Sequence, residues 1–469
     1  MFTGYTYQDW ERTPESEKME VLRKIVESYK GSDEFQYALL ASEYFRSENP
    51  VVMEKVILQK GAYKYQDESG VEKTLLREEP VVGARIPSNF FSRFVIQQNQ
   101  FLLANGVTLE QDADKKALGL GFDKALEQIG ERALVQGVCW GYWNADHLEI
   151  IEAARDKMSG FVALVDEENS MPRLGVQFWQ IDSNRPMYIR LFEADGLTVY
   201  RVHDHVMVEH APKRAYKLRV NRDAAGEMVT GSENYSFLPV IPLYANTERR
   251  SELTHSIKEK IDAYDRISSD YVDNLDKTND VFWVLSNFGG SRSELLKMVS
   301  DIRSTGIIAN SSDGMGGNAS AAPYAFEVPY EARKIALELL QKELYQDYMA
   351  LSMEELTGGS LTNVAIQTAM ANLELKCDRY EWQCFQFVQR LLALLGIDTE
   401  VIRFKRQTIS NESEIIADIY TMRADIDRRT ALKLNPYISA DEVENILLML
   451  DKEELEGNDP PEDVTGNEA

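Results

Sequence analysis

The stretch from Ser251 to Met353 constrains the fold most, because it is predicted to form two helices separated by a compact insert. In the first arm, residues 251–280, apolar side chains recur at steps of three and four, which is the spacing of one helical face. These are Leu253, Ile257, Ile261, Tyr264, Ile267, Tyr271 and Leu275. Five aspartates fall within an arc of about 80° on nearly the opposite side. They are Asp262, Asp265, Asp273, Asp276 and Asp280.

The second arm, residues 329–353, returns beside the first. Its apolar side consists of Ile335, Leu339, Leu340, Leu344, Tyr348 and Leu351. A break at residues 354–363 follows, with Gly358 and Gly359 at its centre. A long helical pattern then runs from Val364 to Leu395 and ends at Gly396, a typical C-terminal cap. At 1.5 Å per residue this helix is about 48 Å long, which indicates a strut.

The insert, residues 281–328, contains strand-like segments on both sides of one helical segment. VFWVLSN and YAFEV are predicted as its outer strands, with SRSELLKMVSDIR as the helix and GIIAN as a further strand. Ser311 to Ala322 is flexible by composition. An insert of this size cannot bury much of its own surface, which favours assembly with partners.

The order of these elements resembles the portal proteins of tailed bacteriophages. FLPVIPLYANTERRSEL, IDAYDRISSDYVDN and SLTNVAIQTAMANLELKCDRYEW carry the resemblance, which covers roughly Ala41 to Glu456. It implies an α+β portal fold. The domains would be a wing (1–250), a first stem helix (251–280), a clip (281–328), a second stem helix (329–353), a tunnel loop (354–363), a long wing and crown helix (364–397), a crown (398–456) and a disordered acidic tail (457–469).

The resemblance also implies a function and a set of partners. The chain would form a homo-oligomeric ring, usually of twelve copies, at one capsid vertex, and would supply no catalysis and bind no cofactor or metal. Genome packaging and ejection would pass through the ring. The expected partners are the terminase large subunit, a head–tail adaptor, the major capsid and scaffolding proteins, and double-stranded DNA that passes through non-specifically. The expected location is the virion, with assembly in the host cytoplasm.

Three groups of site residues follow from the resemblance. The five stem aspartates, Asp262, Asp265, Asp273, Asp276 and Asp280, would line the channel. The tunnel loop would be Leu356, Thr357, Gly358, Gly359, Ser360 and Leu361, although the two glycines also suit an ordinary helix connector. A docking surface on the clip would include Arg292, Lys297, Asp313 and Asn318. The residues alone leave another interpretation of the aspartates open, that of an ordinary solvated helix face.

Composition agrees with a conduit for DNA. The net charge of −26 argues against a protein that grips phosphates, but it suits a channel through which a duplex slides. Three cysteines in 469 residues indicate a reducing compartment without a disulfide framework. No apolar run approaches the roughly 20 residues that span a bilayer. With no signal pattern at the N-terminus, the expectation is a soluble protein made in a cytoplasm.

The other segments read as mixed helix and strand. Helices are predicted over residues 13–29, 32–46, 88–103, 122–137, 413–422 and 439–456, a hairpin over 63–76, and short strands over 139–244. VIRFKRQ adds a strand after Gly396. One basic patch breaks the acidic background, either as an edge strand protected by charge or as a contact for DNA or an acidic neighbour. It consists of Lys213, Arg214, Lys217, Arg219 and Arg222.

A second class of function is a metal-dependent hydrolase acting on nucleic acid. His203 and His205 would share one face of a strand, as metal ligands can, with Asp204, Glu209 and His210 nearby. No third ligand has a recognisable spacing, and a polar turn on a strand surface explains the same residues. The glycines at 314, 316 and 317 are not followed by the Gly-Lys-Ser/Thr of a phosphate loop. A repeat scaffold would need a fixed period, and none is present.

Overall fold

The computed structural model describes most of the chain. The described residues are 4–66, 72–169, 171–204, 206–222, 228–278, 282–286, 320–324, 330–352, 363–399, 401–407, 412–422, 426–435, 437–438 and 440–456. Runs of helices and runs of antiparallel strands follow one another through them, which confirms the α+β class.

Four helices open the chain: α1 (Tyr7–Arg12), α2 (Lys18–Lys30), α3 (Asp33–Phe45) and α4 (Pro50–Met53). The predicted start of α3 is confirmed, because the Ser32 hydroxyl accepts a hydrogen bond from the Phe35 amide. The predicted helix start at Thr13 is wrong. Thr13 instead ends α1, where its amide donates to the Trp10 carbonyl oxygen and its hydroxyl donates to the Asp9 carbonyl oxygen.

A long hairpin follows, formed by β1 (Val56–Gln66) and β2 (Glu72–Val82). The two strands pair antiparallel over their whole length, with Val56 opposite Val82 and Gln66 opposite Glu72. The predicted hairpin is confirmed and is longer than its sequence pattern indicated. Its predicted turn, residues 68–70, lies outside the described residues.

The central body combines three helices with three sheets and with β3, which pairs with a strand from the second half of the chain. Its helices are α5 (Phe90–Leu103), α6 (Asp112–Ala117) and α7 (Phe122–Gln136). Its strands are β3 (Val107–Leu109), β4 (Val138–Asn144), β5 (His147–Glu152), β6 (Ala154–Asp156), β7 (Ser159–Val165), β8 (Pro172–Trp179), β9 (Met187–Glu193), β10 (Gly196–His203), β11 (Val206–Arg214), β12 (Lys217–Arg222), β13 (Met228–Glu233) and β14 (Val240–Tyr244). One sheet has the order β11-β10-β9-β8-β7-β6, another β14-β4-β5, and β12 pairs with β13. The predicted strand-rich region is therefore confirmed.

The second half of the chain contains the paired helices. The elements are α8 (His255–Thr278), β15 (Phe282–Ser286), β16 (Ser320–Tyr324), α9 (Tyr330–Tyr348), α10 (Asn363–Leu395), β17 (Ile402–Phe404), α11 (Glu412–Thr421), α12 (Arg428–Leu434) and α13 (Ala440–Glu456). The long helix is confirmed, and Gly396 follows it with a φ of 74°. Of the strand predicted over residues 324–328, only Tyr324 is described, as the last residue of β16, and residues 325–328 lie outside the described residues. The strand that pairs with β15 is β16, which lies largely within the segment expected to be flexible.

Two main apolar cores hold these layers together, and a third, small cluster lies between α5 and the first half of α10. The larger one surrounds α7 and joins α5, β4, β14 and the C-terminal half of α10. The smaller one packs α2 and α3 against the six-stranded sheet. In it, the ring of Phe35 lies 5.2 Å from that of Tyr29 and 6.1 Å from that of Phe178. The sheet and the N-terminal helices therefore form one body, on which α8 is anchored.

A substitution at Gly137 tests the close contact between the end of α7 and the segment that leads into α8. Its φ is 88°, and an added Cβ would lie 2.8 Å from the carbonyl carbon of Arg250 and 2.9 Å from the amide nitrogen of Ser251. We expect Gly137→Ala to lower the free energy of unfolding by about 2 kcal/mol or more, because strain and overlap add. Chemical denaturation measures the change. Gly31→Ala is the control, since it has a φ of −84° and ordinary contacts at 3.6 Å, and an equal loss in both variants would contradict the assignment.

Candidate functional site

The helix pair α8 and α9 is antiparallel, as predicted from the sequence. Lys260 on α8 forms ion pairs of 2.9 Å with both Glu343 and Asp347 on α9. Near the other end of the pair, the ring of Tyr271 lies 6.0 Å from that of Tyr330. Ile257, Ile261, Leu344 and Tyr348 are buried in the larger core. One side of α8 is thus covered by α9 and the central body.

The opposite side of α8 is covered by the segment that joins β2 to α5. Alternate amides of this segment donate to side chains spaced four residues apart on the helix. The Ser88 amide donates to Asp265 Oδ1 at 2.9 Å, the Ile86 amide to Ser269 Oγ at 3.2 Å, and the Ala84 amide to Asp273 Oδ1 at 2.7 Å. Pro87, which has no amide hydrogen, falls between two donors. We call Asp265, Ser269 and Asp273 the acceptor ladder.

Side chains from the N-terminal helices complete this contact. Asn49 donates to Asp265 Oδ2, and the Tyr44 hydroxyl donates to Asp262 Oδ1. Lys258 pairs with the second oxygen of Asp262 at 2.7 Å. Beside the hairpin, Lys55 pairs with Asp270 at 2.8 Å and with Asp273 at 2.5 Å. Each of these carboxylates therefore has a partner within the chain.

The prediction that the stem aspartates line a channel is wrong for Asp262 and Asp265. Only 6% of Asp262 and 0% of Asp265 is exposed, and Asp273 is turned to the same side. A helical projection identifies the residues that share a face, but it does not show what covers that face. Here the carboxylates accept hydrogen bonds, which allows them to be buried. The side chain of Asp276 and the whole of Asp280 lie outside the described residues, so their lining role stays a prediction.

Burial and hydrogen bonding have opposite effects on these titratable groups. Burial raises the pKa of Asp265 above its ordinary value, although the bonds from Asn49 and Ser88 oppose the rise. Burial also lowers the pKa of Lys55, but its bonds to Asp270 and Asp273 outweigh that effect and raise the pKa overall. The lysine is therefore held charged between the two carboxylates.

Most of the other predicted site residues do not belong to the described part of the chain. The tunnel-loop residues 356–361 and the clip residues Arg292, Lys297, Asp313 and Asn318 lie outside the described residues. His205 does too, so the shared face of His203 and His205 is not tested. His203 and His210 are exposed on the β10–β11 pair. The described part of the chain contains no group of three metal-ligating side chains.

The basic patch begins on β11, the edge strand of the six-stranded sheet as described. Lys213 pairs with Glu193 at 3.0 Å and with Asp195 at 2.5 Å, while the Lys217 ammonium lies 4.0 Å from the ring centre of Tyr235. The edge position agrees with a strand protected by charge.

Sequence reasoning missed the partners of the acid face. Lys55 and Asp273 are 218 positions apart, and Ser88 and Asp265 are 177 apart. One local signal was present, namely hydrogen-bonding side chains at positions 265, 269 and 273, which place three acceptors in a line along one helical face. The pattern did not indicate that a backbone segment would occupy them.

Comparison with known proteins identifies the class. The chain belongs to the phage portal proteins, which are structural proteins of the virion capsid and not enzymes. Within that class it matches the family described as phage portal protein, SPP1 Gp6-like, over residues 29–456. The hydrolase interpretation is therefore wrong.

Two curated relatives are named portal protein. The portal protein of Clostridium phage phiCD119 is 23% identical over 435 residues, which cover 88% of this chain and 92% of the relative. The portal protein of Bacillus phage SPP1 is 28% identical over 242 residues, which cover 47% of this chain and 46% of the relative.

Asp265 provides a test of the acceptor ladder. Asp265→Ala leaves the Ser88 amide without its acceptor and removes one of the two acceptors of the Asn49 side-chain amide, which keeps the Ser88 carbonyl oxygen at 3.1 Å. We therefore expect it to cost about 2–4 kcal/mol in the free energy of unfolding. Asp265→Asn keeps one acceptor oxygen and is expected to cost less. Urea denaturation measures both variants.

The difference in stability between the wild type and Asp265→Asn should change with pH in a defined direction. Because the pKa of Asp265 is raised in the folded state, its contribution to stability is fully present below its ordinary value of 3.8 and is lost as the pH rises through the folded pKa. The stability of the wild type relative to Asp265→Asn should therefore increase as the pH is lowered toward 3.8. A difference that shrinks on acidification would contradict the burial of this carboxyl group.

Proposed function

We propose that this portal protein assembles into a closed homo-oligomeric ring, usually of twelve copies in the family, at one vertex of the capsid. The genome would enter during packaging and leave during ejection through the axis of the ring. The observation that carries the proposal is the family match over residues 29–456, which spans α8, the β15–β16 insert, α9 and α10. The antiparallel packing of α8 and α9 supports their assignment as the two stem helices.

The channel acts through electrostatics rather than chemistry. Each copy carries a net charge of −26, and an anionic wall repels phosphates, so that double-stranded DNA slides without specific contacts. Because Asp262, Asp265 and Asp273 are used inside the subunit, the lining is assigned to other groups. Asp276, Asp280 and the tunnel-loop residues 356–361 remain the proposed lining.

The proposed domains divide the partners among separate surfaces. The clip, residues 281–328, would receive the terminase large subunit during packaging and the head–tail adaptor afterwards, using Arg292, Lys297, Asp313 and Asn318. The wing (1–250) and crown (398–456) would meet the major capsid and scaffolding proteins, and assembly would occur in the host cytoplasm. Among the described helices, none has both the length and the apolar composition that crossing a membrane would require.

The mass of the native assembly tests the proposed function. Native mass spectrometry and negative-stain electron microscopy of the purified protein should show a closed ring of many copies with a central hole. A protein that stays monomeric or dimeric at micromolar concentration, with or without scaffolding protein, would remove the proposal.

The clip assignment predicts a selective loss of docking. Deletion of residues 311–319 should weaken binding of the terminase large subunit or the adaptor while rings still form, because these residues belong to the clip and not to the stem. Binding of each partner to purified rings is the measurement. Deletion of residues 223–226, between β12 and β13, is the matched control, and unchanged docking in the 311–319 variant would contradict the assignment.

A further inference from the structure

The helix α9 has apolar side chains on two opposite sides. At about 100° per residue, Leu337, Leu340, Leu344 and Tyr348 project to one side. Leu344 and Tyr348 are buried inside the subunit on that side, and Leu337 and Leu340 are partly buried. Ile335 and Leu339 project nearly opposite to them, and 61% of Ile335 and 55% of Leu339 are exposed, so the prediction that they share one apolar side with Leu340, Leu344 and Tyr348 is wrong. A helix that is apolar on both sides is ordinarily covered on both. We call this second face the outer face of α9, and we expect another surface to cover it.

The helix α8 also has a strip that remains uncovered within the described chain. It lies between the side that packs on α9 and the side that carries the acceptor ladder, and it consists of Ala263, Arg266, Ile267, Asp270 and Asn274. Arg266 and Asp270 are exposed, whereas the other three side chains are partly buried. We call this strip the open face of α8. It combines the apolar side chains of Ala263 and Ile267 with one positive charge, Arg266, and one negative charge, Asp270.

Contacts within the subunit show which residues of the two helices lie at the same height. Lys260 is level with the segment from Glu343 to Asp347, and Tyr271 is level with Tyr330. Antiparallel helices advance 1.5 Å per residue in opposite directions, so the heights between these contacts can be interpolated. Glu338 then lies at the height of Arg266, and Lys334 lies at the height of Asp270, each to within about one helical turn.

We propose that the outer face of α9 in one copy packs against the open face of α8 in the next copy. This inference rests on the ring proposed above, with its axis running along the helix pair. Rotation about such an axis leaves every residue at its own height. Arg266 therefore meets Glu338 of the next copy, and Asp270 meets Lys334 of the next copy. Both pairs join opposite charges. The partner of the outer face of α9 is therefore inferred to be a second copy of this chain.

These side chains remain accessible in the single subunit. The side chains of Lys334 and Glu338 are 54% and 65% exposed and lie 3.9 Å apart, at the limit of an ion pair. Asp270 is 60% exposed although it contacts Lys55, and Arg266 Nε donates to the backbone oxygen of Asp262 at 3.2 Å. Ile335 and Leu339 would supply the attraction by losing contact with water. The charge pairs would select the register and the partner.

Charge reversal tests the proposed contact. Arg266→Glu and Glu338→Arg each place like charges opposite one another at every subunit boundary, so each single variant should lose most of the ring population. The double variant restores opposite charges and should recover it. Native mass spectrometry at low ionic strength measures the fraction of rings, with Glu110→Arg as an exposed reversal away from both faces.

The outcomes separate this inference from the proposed function. Single variants that form rings as well as the wild type, or a double variant that is no better than the singles, would overturn the contact and leave the portal ring standing. A wild type that forms no ring would overturn the proposed function, and with it the inference. Circular dichroism of each variant distinguishes lost assembly from lost folding.

Disulfide trapping gives a second measurement for the case in which reversal impairs folding. Ile267 and Ile335 lie at nearly equal heights on the two proposed faces, so Ile267→Cys combined with Ile335→Cys should form links between neighbouring copies. The native Cys139, Cys377 and Cys384 are all buried, which keeps the background low. Mild oxidation should give a ladder of covalent multimers in the double variant and none in either single variant. If the double variant forms rings but gives no covalent multimers after oxidation, the proposal is overturned.

Discussion

The acceptor ladder on α8 is the interaction on which the arrangement of the subunit depends. A helix uses its own amides and carbonyls internally, so it can accept an extended segment only through side chains. Four helical residues advance about 6 Å, and two residues of extended chain advance about 6.7 Å. Asp265, Ser269 and Asp273 therefore keep step with the amides of Ser88, Ile86 and Ala84. The match allows a polar helix face to be buried with its groups paired.

A second junction joins the segment before α8, the end of α9 and the middle of α10. Lys376 on α10 pairs with Glu252 at 2.8 Å, donates to the Tyr348 carbonyl oxygen at 3.0 Å, and lies 3.3 Å from the centre of the Tyr348 ring. Burial lowers the pKa of Lys376, and the nearby carboxylate of Glu252 opposes that change. The segment before α8, the end of α9 and the middle of α10 thus meet at one lysine. The helix pair is held at this junction and along the ladder.

Periodicity was sufficient to predict the helices and the strand-rich region, because both depend on local spacing. Ser32 and Gly396 marked boundaries correctly, since caps act within a few residues. The pattern failed for the stem aspartates, because burial of Asp265 depends on Asn49 and Ser88, which are distant in the sequence. The small residues and proline of β16, SAAPY, gave no strand signal either. Pairing with the apolar β15 determined that strand.

The hairpin β1–β2 gains a mechanical property from its attachment. Its base is fastened to α8 on both strands, by Lys55 before β1 and by the 84–88 segment after β2. Strands of 11 residues extend about 37 Å from that base. A tilt of α8 by about 5° would then displace the far end of the hairpin by about 3 Å, by the same geometry. The hairpin therefore acts as a lever arm, whose far end moves more than its base when α8 tilts.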